Sequence, residues 1–162
     1  MTERTIEQRI ADLERIEAIK NLKHRYLRAC DAKDPETFRA CFVDRGARID
    51  YGPLGQFDDA DPIAEIFRSI ALQKVDGRHV ILDMHHAFHP EITLHGDESA
   101  SGKWTLAFRQ VNLIDNTETV RSIEYVDEYV VENGAWKMSA CASNVLWSMT
   151  RPLGEGTVVT EG

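Results

Sequence analysis

Apolar residues change their period once along this chain, and the change divides it in two. In the first part, Ile6, Ile10, Leu13, Ile16, Ile19, Leu22 and Tyr26 recur every three or four positions among Glu, Arg and Lys. That spacing predicts one helix from about residue 5 to 32. From His79 onward apolar and polar residues alternate, with turn signals at Gly96-Asp97, Asp115-Asn116 and Asn133-Gly134. Asn-Gly is the dipeptide best suited to a two-residue hairpin, because both positions tolerate positive φ. Four consecutive antiparallel strands are therefore expected. Helices first and a strand meander second predict a segregated α+β fold, with helices over one face of a sheet and no alternating parallel units.

Shorter signals fill in the first half. Asp34-Pro35 reads as an N-cap followed by a first-turn proline, which starts a short helix running to about Phe42. Ala47 to Tyr51 alternates as a strand. Pro53 and Gly55 open a loop, and Asp61-Pro62 repeats the cap before Ile63, Ile66, Phe67 and Ile70 give a third helix its apolar face. Residues 1–162 are expected to form one domain with its core at about 8–150. Residues 152–162, with three glycines and little to bury, read as a tail or a subunit-crossing arm.

Charge and cysteine content narrow the function. The 27 acidic and 19 basic residues leave a net charge of −8 with no basic block, so a nucleic-acid partner is not expected. Cys30, Cys41 and Cys141 are odd in number and far apart, which fits reduced thiols in a cytoplasmic protein. The charged N-terminal stretch has no apolar signal core, and no apolar run approaches the roughly 20 residues of a membrane span. No nicotinamide, phosphate or metal motif is present, so no cofactor is expected.

The candidate chemistry lies in Asp31, at the end of the first helix, and in the stretch His85-His86-Ala87-Phe88-His89-Pro90. An acid at a helix C-terminus runs against the helix dipole, a small cost that hints at a role. A carboxylate that orients an imidazole is the simplest machinery for taking a proton from carbon. Regular alternation sends His85 and His86 to opposite faces, so only one can look inward, and the alternation does not say which. His86, His89 and Asp83 meet no fixed ligand spacing, and no metal site is expected.

The order of elements, together with four local motifs, resembles the nuclear-transport-factor-2-like, or SnoaL-like, superfamily over about residues 8–150. The segment from Tyr26 to Asp34 is similar to the end of the first helix in its scytalone dehydratases, bile-acid dehydratases and hexachlorocyclohexane dehydrochlorinases, which places a catalytic aspartate at Asp31. Ile49-Asp50-Tyr51 resembles the strand that supplies a substrate-facing tyrosine. His85 to Pro90 is similar to a His-His-x-x-Asn-Pro stretch whose second histidine is the base, with His89 in the place of asparagine. Glu124 to Tyr129, followed by Asn133 to Lys137, matches the final hairpin.

The resemblance implies a cone-shaped, curved antiparallel sheet with three N-terminal helices on its concave face. It chooses His86 as base, with Asp31 fixing its tautomer. It sets Tyr26 beside Asp31, although the two lie about 140° apart on an ideal helix. Tyr26, Tyr51 and Arg109 would hold an oxygen on which charge builds, Arg109 standing where the scytalone dehydratases have a second histidine. Tyr125, His85, His89, Cys141 and Phe108 would line the substrate pocket. The implied function is a cofactor-independent lyase, a dehydratase acting on a small hydrophobic ring-containing molecule. An isomerase or carbon–carbon lyase using the same dyad, or a non-catalytic binding or accessory subunit, stays open beside it. A homodimer or homotrimer is expected, because three helices can cover only one face of the sheet.

Overall fold

The structure is a computed structural model that describes residues 4–162. Residues 1–3, the start of the charged N-terminal stretch, lie outside the described residues. The first helix, α1 (Ile6–Asp31), is opened by a capping box in which Gln8 N–H donates to Thr5 Oγ1 and Thr5 N–H donates to Gln8 Oε1. Its buried residues are Ile19, Leu22, Lys23, Tyr26, Leu27, Ala29 and Cys30. Only the C-terminal half of the apolar stripe meets the core, while Ile6, Ile10 and Leu13 stand in the open.

The next helix, α2 (Pro35–Ala40), is capped by Asp34, which accepts from the Thr37 N–H at 3.0 Å and from its hydroxyl at 2.6 Å. It stops two residues short of Phe42, which instead bridges to Met138. Strand β1 (Arg48–Asp50), a 3-10 turn (Gly52–Leu54) and β2 (Gln56–Phe57) lead to α3 (Ala60–Ala71). The cap of α3 is Asp59, two residues earlier than the expected Asp61, and Ala60, Ile63, Ala64 and Ala71 form its buried side.

A small ribbon, β3 (Lys74–Val75) with β4 (Arg78–His79), precedes the four long strands β5 (Ile81–Leu94), β6 (Ser99–Asn112), β7 (Thr117–Glu132) and β8 (Ala135–Pro152). These four form an antiparallel meander. At its last turn Asn133 and Gly134 both take positive φ, 52° and 77°.

The sheet corrects the expected shape. Its order is β2-β1-β8-β7-β6-β5, and β1 runs parallel to β8, pairing Ile49 with Cys141. It is therefore a mixed sheet and not an all-antiparallel one. It is also open: β2 and β5 are its two edges and do not pair, so it is neither curved nor closed into a cone. The parallel pairing is non-local, joining a three-residue strand to one more than 90 positions away, and hydropathy patterns carry no trace of such a contact. The α+β class and the three helices stand as expected.

Register arranges the helix-facing side of the sheet in rows. His85, Phe108, Arg121 and Ser148 form one. Asp83, Gln110, Thr119 and Thr150 lie on one side of it, and Ala87, Leu106, Ile123 and Val145 on the other. Further along come Trp104, Tyr125 and Ser143, and then Gly102, Asp127 and Cys141. The helix-facing side thus grades from a polar rim to an aromatic interior.

Candidate active site

Asp31 is the last residue of α1 and lies against β5. Its Oδ1 accepts from the His85 ring nitrogen Nδ1 at 2.6 Å, and its two oxygens accept from the His85 backbone N–H at 3.1 and 3.2 Å. Because β5 is an edge strand, that backbone N–H has no neighbour in the ladder and is satisfied by the helix instead. A carboxylate can only accept here, so Nδ1 carries the hydrogen and Nε2 keeps its lone pair when the ring is neutral. Nε2 has no hydrogen-bond partner among the described residues. The pair is sheltered, with side-chain exposures of 13% for His85 and 33% for Asp31. The imidazole rests 4.8 Å from the Phe108 ring, tilted by 57°.

The histidine beside Asp31 is thus His85 and not His86. His86 points to the opposite face of β5, exposed, with its ring edge-on to Phe88 at 6.3 Å. The physical reason lies in the strand. Ile81, Asp83, His85 and Ala87 turn toward the helices, while Leu82, Met84, His86 and Phe88 turn away. His89 takes φ 51° where the register shifts between Phe88 and Glu91, and it is exposed. It lines a hollow of about 580 Å³ with Lys103, Trp104, Glu124, Tyr125 and Val126, so two predicted substrate-binding residues, His89 and Tyr125, meet there. A larger groove of about 690 Å³ runs along the outward side of α1 past His24, Arg25 and Arg28. Neither hollow touches Asp31 or His85, and neither contains a base paired with an acid. Chemistry therefore places the candidate site at the dyad.

Deeper in, Tyr26 and Tyr51 share a 2.7 Å hydrogen bond, and the Tyr51 hydroxyl donates to Cys141 Sγ at 3.5 Å. Tyr125 meets the Tyr26 ring edge-on at 6.5 Å. Burial holds all three phenols well above the ordinary tyrosine range, and the hydrogen bonds from Tyr26 offset this only in part for Tyr51 and Tyr125. They stay protonated and can donate, not accept, a proton. Burial likewise pushes the Cys141 thiol up, so it is no ready nucleophile. Tyr26, Tyr51, Tyr125, Cys141 and Phe108 thus belong to one buried core cluster, which His85 meets at Phe108.

Arg109 does not join them. It lies on the far face of β6, where its guanidinium binds Glu118, which also accepts from Arg151. Those two arginines, Arg151 first, hold the Glu118 carboxyl below its usual range.

The sequence reading missed the charges inside. Lys23 and Asp127 are both 0% exposed, and Lys23 Nζ lies 2.8 Å from Asp127 Oδ2. The ammonium sits 3.7 Å from the centre of the Tyr125 ring. Tyr129 donates to the same Asp127 oxygen at 2.7 Å and accepts from Trp104 Nε1 at 2.9 Å. A signal existed: Lys23 falls in the stripe with Ile19, Leu22 and Tyr26, and Asp127 shares its face with Tyr125 and Tyr129. Arg121 was also missed, and it is the arginine that turns toward the helix side, 5.6 Å from the Phe108 ring.

The C-terminal tail folds back on its own chain. Arg78 donates to the Val159 carbonyl, and Glu161 accepts from the His79 backbone N–H at 2.9 Å and from its ring.

These features belong to a fold class already known in other proteins. A family model described as SnoaL-like domain matches residues 11–142, and the chain belongs to that family. A protein from Novosphingobium aromaticivorans, named as a candidate scytalone dehydratase, superposes with a TM-score of 0.76 at 17% identity, over 92% of this chain and 98% of that one. The hexachlorocyclohexane dehydrochlorinase LinA-type3 of Novosphingobium barchaimii gives 0.75 at 13% identity, over 94% and 99%. ActVI-ORFA of Streptomyces coelicolor gives 0.65 at 14%, over 80% and 96%. At such identities the likeness establishes the fold. No curated protein matches the chain in sequence. Among the described residues no helix is long and apolar enough to cross a membrane.

Proposed function

We propose that this protein is a cofactor-independent lyase, a dehydratase of small hydrophobic ring compounds, in which His85 is the general base. One observation carries the reading: Asp31 fixes Nδ1–H of an imidazole whose Nε2 has no partner among the described residues and whose ring packs against Phe108. Nε2 would take the proton from a carbon next to a carbonyl. The electrons of that C–H bond form the new double bond as the bond to the neighbouring hydroxyl breaks. The imidazolium, stabilised by Asp31, then returns the proton to the departing hydroxide as water. Protonated Tyr26 and Tyr51 would supply donors toward developing negative charge. The names of the structurally similar dehydratase and dehydrochlorinase support an elimination over other proton transfers.

The test is a panel of cyclic β-hydroxy ketones, followed by the ultraviolet absorbance of the conjugated product. Elimination is expected with the wild-type chain and not with His85→Gln. Isomerised product without loss of water would replace the dehydratase reading by an isomerase one. We also propose a homodimer or homotrimer. Met84, Phe88, Val126, Trp147 and Met149 stand exposed on the side of the sheet away from the helices, around the Arg109–Glu118–Arg151 cluster, with Trp147 55% exposed.

A further inference from the structure

We infer that the substrate carries a carboxylate or comparable oxyanion, and that Arg121 receives it across the Phe108 ring from His85. The inference deepens the proposed function by naming a substrate class. It requires a ring compound to bind at the dyad, but it does not require proton abstraction.

Three observations converge on it. First, register puts His85, Phe108 and Arg121 in one row on β5, β6 and β7, all on the helix side of the sheet. Strands lie about 4.8 Å apart, so base and guanidinium start from backbones about 10 Å apart, with the aromatic ring between them. Phe108 is bordered on one side by the imidazole at 4.8 Å and on the other by the guanidinium carbon at 5.6 Å.

Second, Arg121 is under-used. Its one side-chain hydrogen bond among the described residues is a long one, Nε to Ser148 Oγ at 3.4 Å, and no carboxylate pairs with it. Arg109 and Arg151, on the other face, share Glu118 between them. The acids on Arg121's own face are engaged elsewhere, Asp31 with His85 and Asp83 with Gln110 at 2.9 Å. The forked edge of the guanidinium, which matches a carboxylate with two parallel N–H donors, is left open.

Third, the whole chain carries a charge of −8, which repels anions at a distance. A cation held beside the base against that background gives the site a local preference that the net charge does not. A ring compound with its acidic carbon toward Nε2 and its anion toward Arg121 would be held at both ends.

The test uses cinnamate and cinnamamide, which share ring and length and differ in charge, with binding followed by calorimetry and by the ring resonances of His85. Wild-type protein should bind cinnamate at least about tenfold more tightly than the amide. Arg121→Met and Arg121→Gln should lose that preference while keeping the amide affinity. Arg109→Met should keep it. His85→Gln should keep it too, which separates this inference from the elimination reading: a chain that eliminates nothing yet shows the Arg121-dependent preference upholds the anion site. The inference is overturned if wild type binds both alike or neither at millimolar concentration, or if the Arg121 variants retain the preference. The wild-type comparison decides even should a variant fail to fold.

Discussion

At the scale of single residues, the interior pair of charges is the feature with the largest stability consequence. Removing one member of a buried ion pair strands the other in a low-dielectric interior, so Lys23→Met or Asp127→Asn should each cost about 3–5 kcal/mol. Replacing both, as Lys23→Met with Asp127→Asn, should cost clearly less than the sum of the two. Urea denaturation of the four proteins measures it, and additive losses in the double variant would mean that the two side chains act independently.

The buried tyrosines and thiols set the alkaline behaviour. Their folded pKa values lie above the unfolded ones, so the stability they contribute is full below the unfolded pKa and declines as pH rises through the interval between the two. Stability should therefore fall above about pH 10, by about 1.4 kcal/mol per pH unit for each tyrosine that the unfolded chain ionises. Tyr51→Phe should make that fall shallower. Burial pushes the Cys41 thiol up to about 11 and raises Cys30 and Cys141 as well. A thiol reagent at pH 8 should then label none of the three until denaturant is added.

Legibility at the scale of elements followed locality. The Asp34 cap, the α1 stripe and the Asn133-Gly134 hairpin are written in neighbouring residues and were readable as such, whereas the α3 cap was read at Asp61 and lies at Asp59. The facing of β5 was not. Leu82, Met84 and Phe88 are the more apolar set of that strand, yet they turn away from the helices, while the helix side takes Asp83, His85 and Ala87. Hydropathy would have chosen the outward set, and the family motif chose His86, which belongs to it. What decides the facing is a long-range contact, Asp31 satisfying the open backbone edge at His85. Arg109 and Arg121 show the same lesson one and two strands in, because position along a strand gives parity but not which parity faces the core. The tail adds an element-scale prediction. Glu161 is held below its usual carboxyl range by hydrogen bonds from His79, so the contact is fully present at neutral pH and is lost as pH falls through that lowered value. Glu161→Ala should speed hydrogen exchange at the His79 amide, and unchanged exchange would show that the latch is not populated in solution.

For the whole molecule, the α+β architecture was legible from the single change of period, whereas the open, mixed sheet depends on the pairing of β1 with β8 and was not. Exposed Met84, Phe88, Val126, Trp147 and Met149 on the outer side of the sheet, and Ile6, Ile10 and Leu13 on α1, are the surface that the proposed assembly would cover. Sedimentation equilibrium at micromolar concentration should give a dimer or trimer, and Trp147→Glu combined with Met149→Glu should shift it toward monomer. A stable wild-type monomer would count against the assembly.

The central claim is that the dyad is Asp31 with His85, and a paired substitution in the elimination assay tests it most directly. His85→Gln should abolish turnover, Asp31→Asn should lower it by about 10² or more while leaving the fold in place, and His86→Gln should retain most of it. Loss of turnover in His86→Gln with activity preserved in His85→Gln would contradict the account.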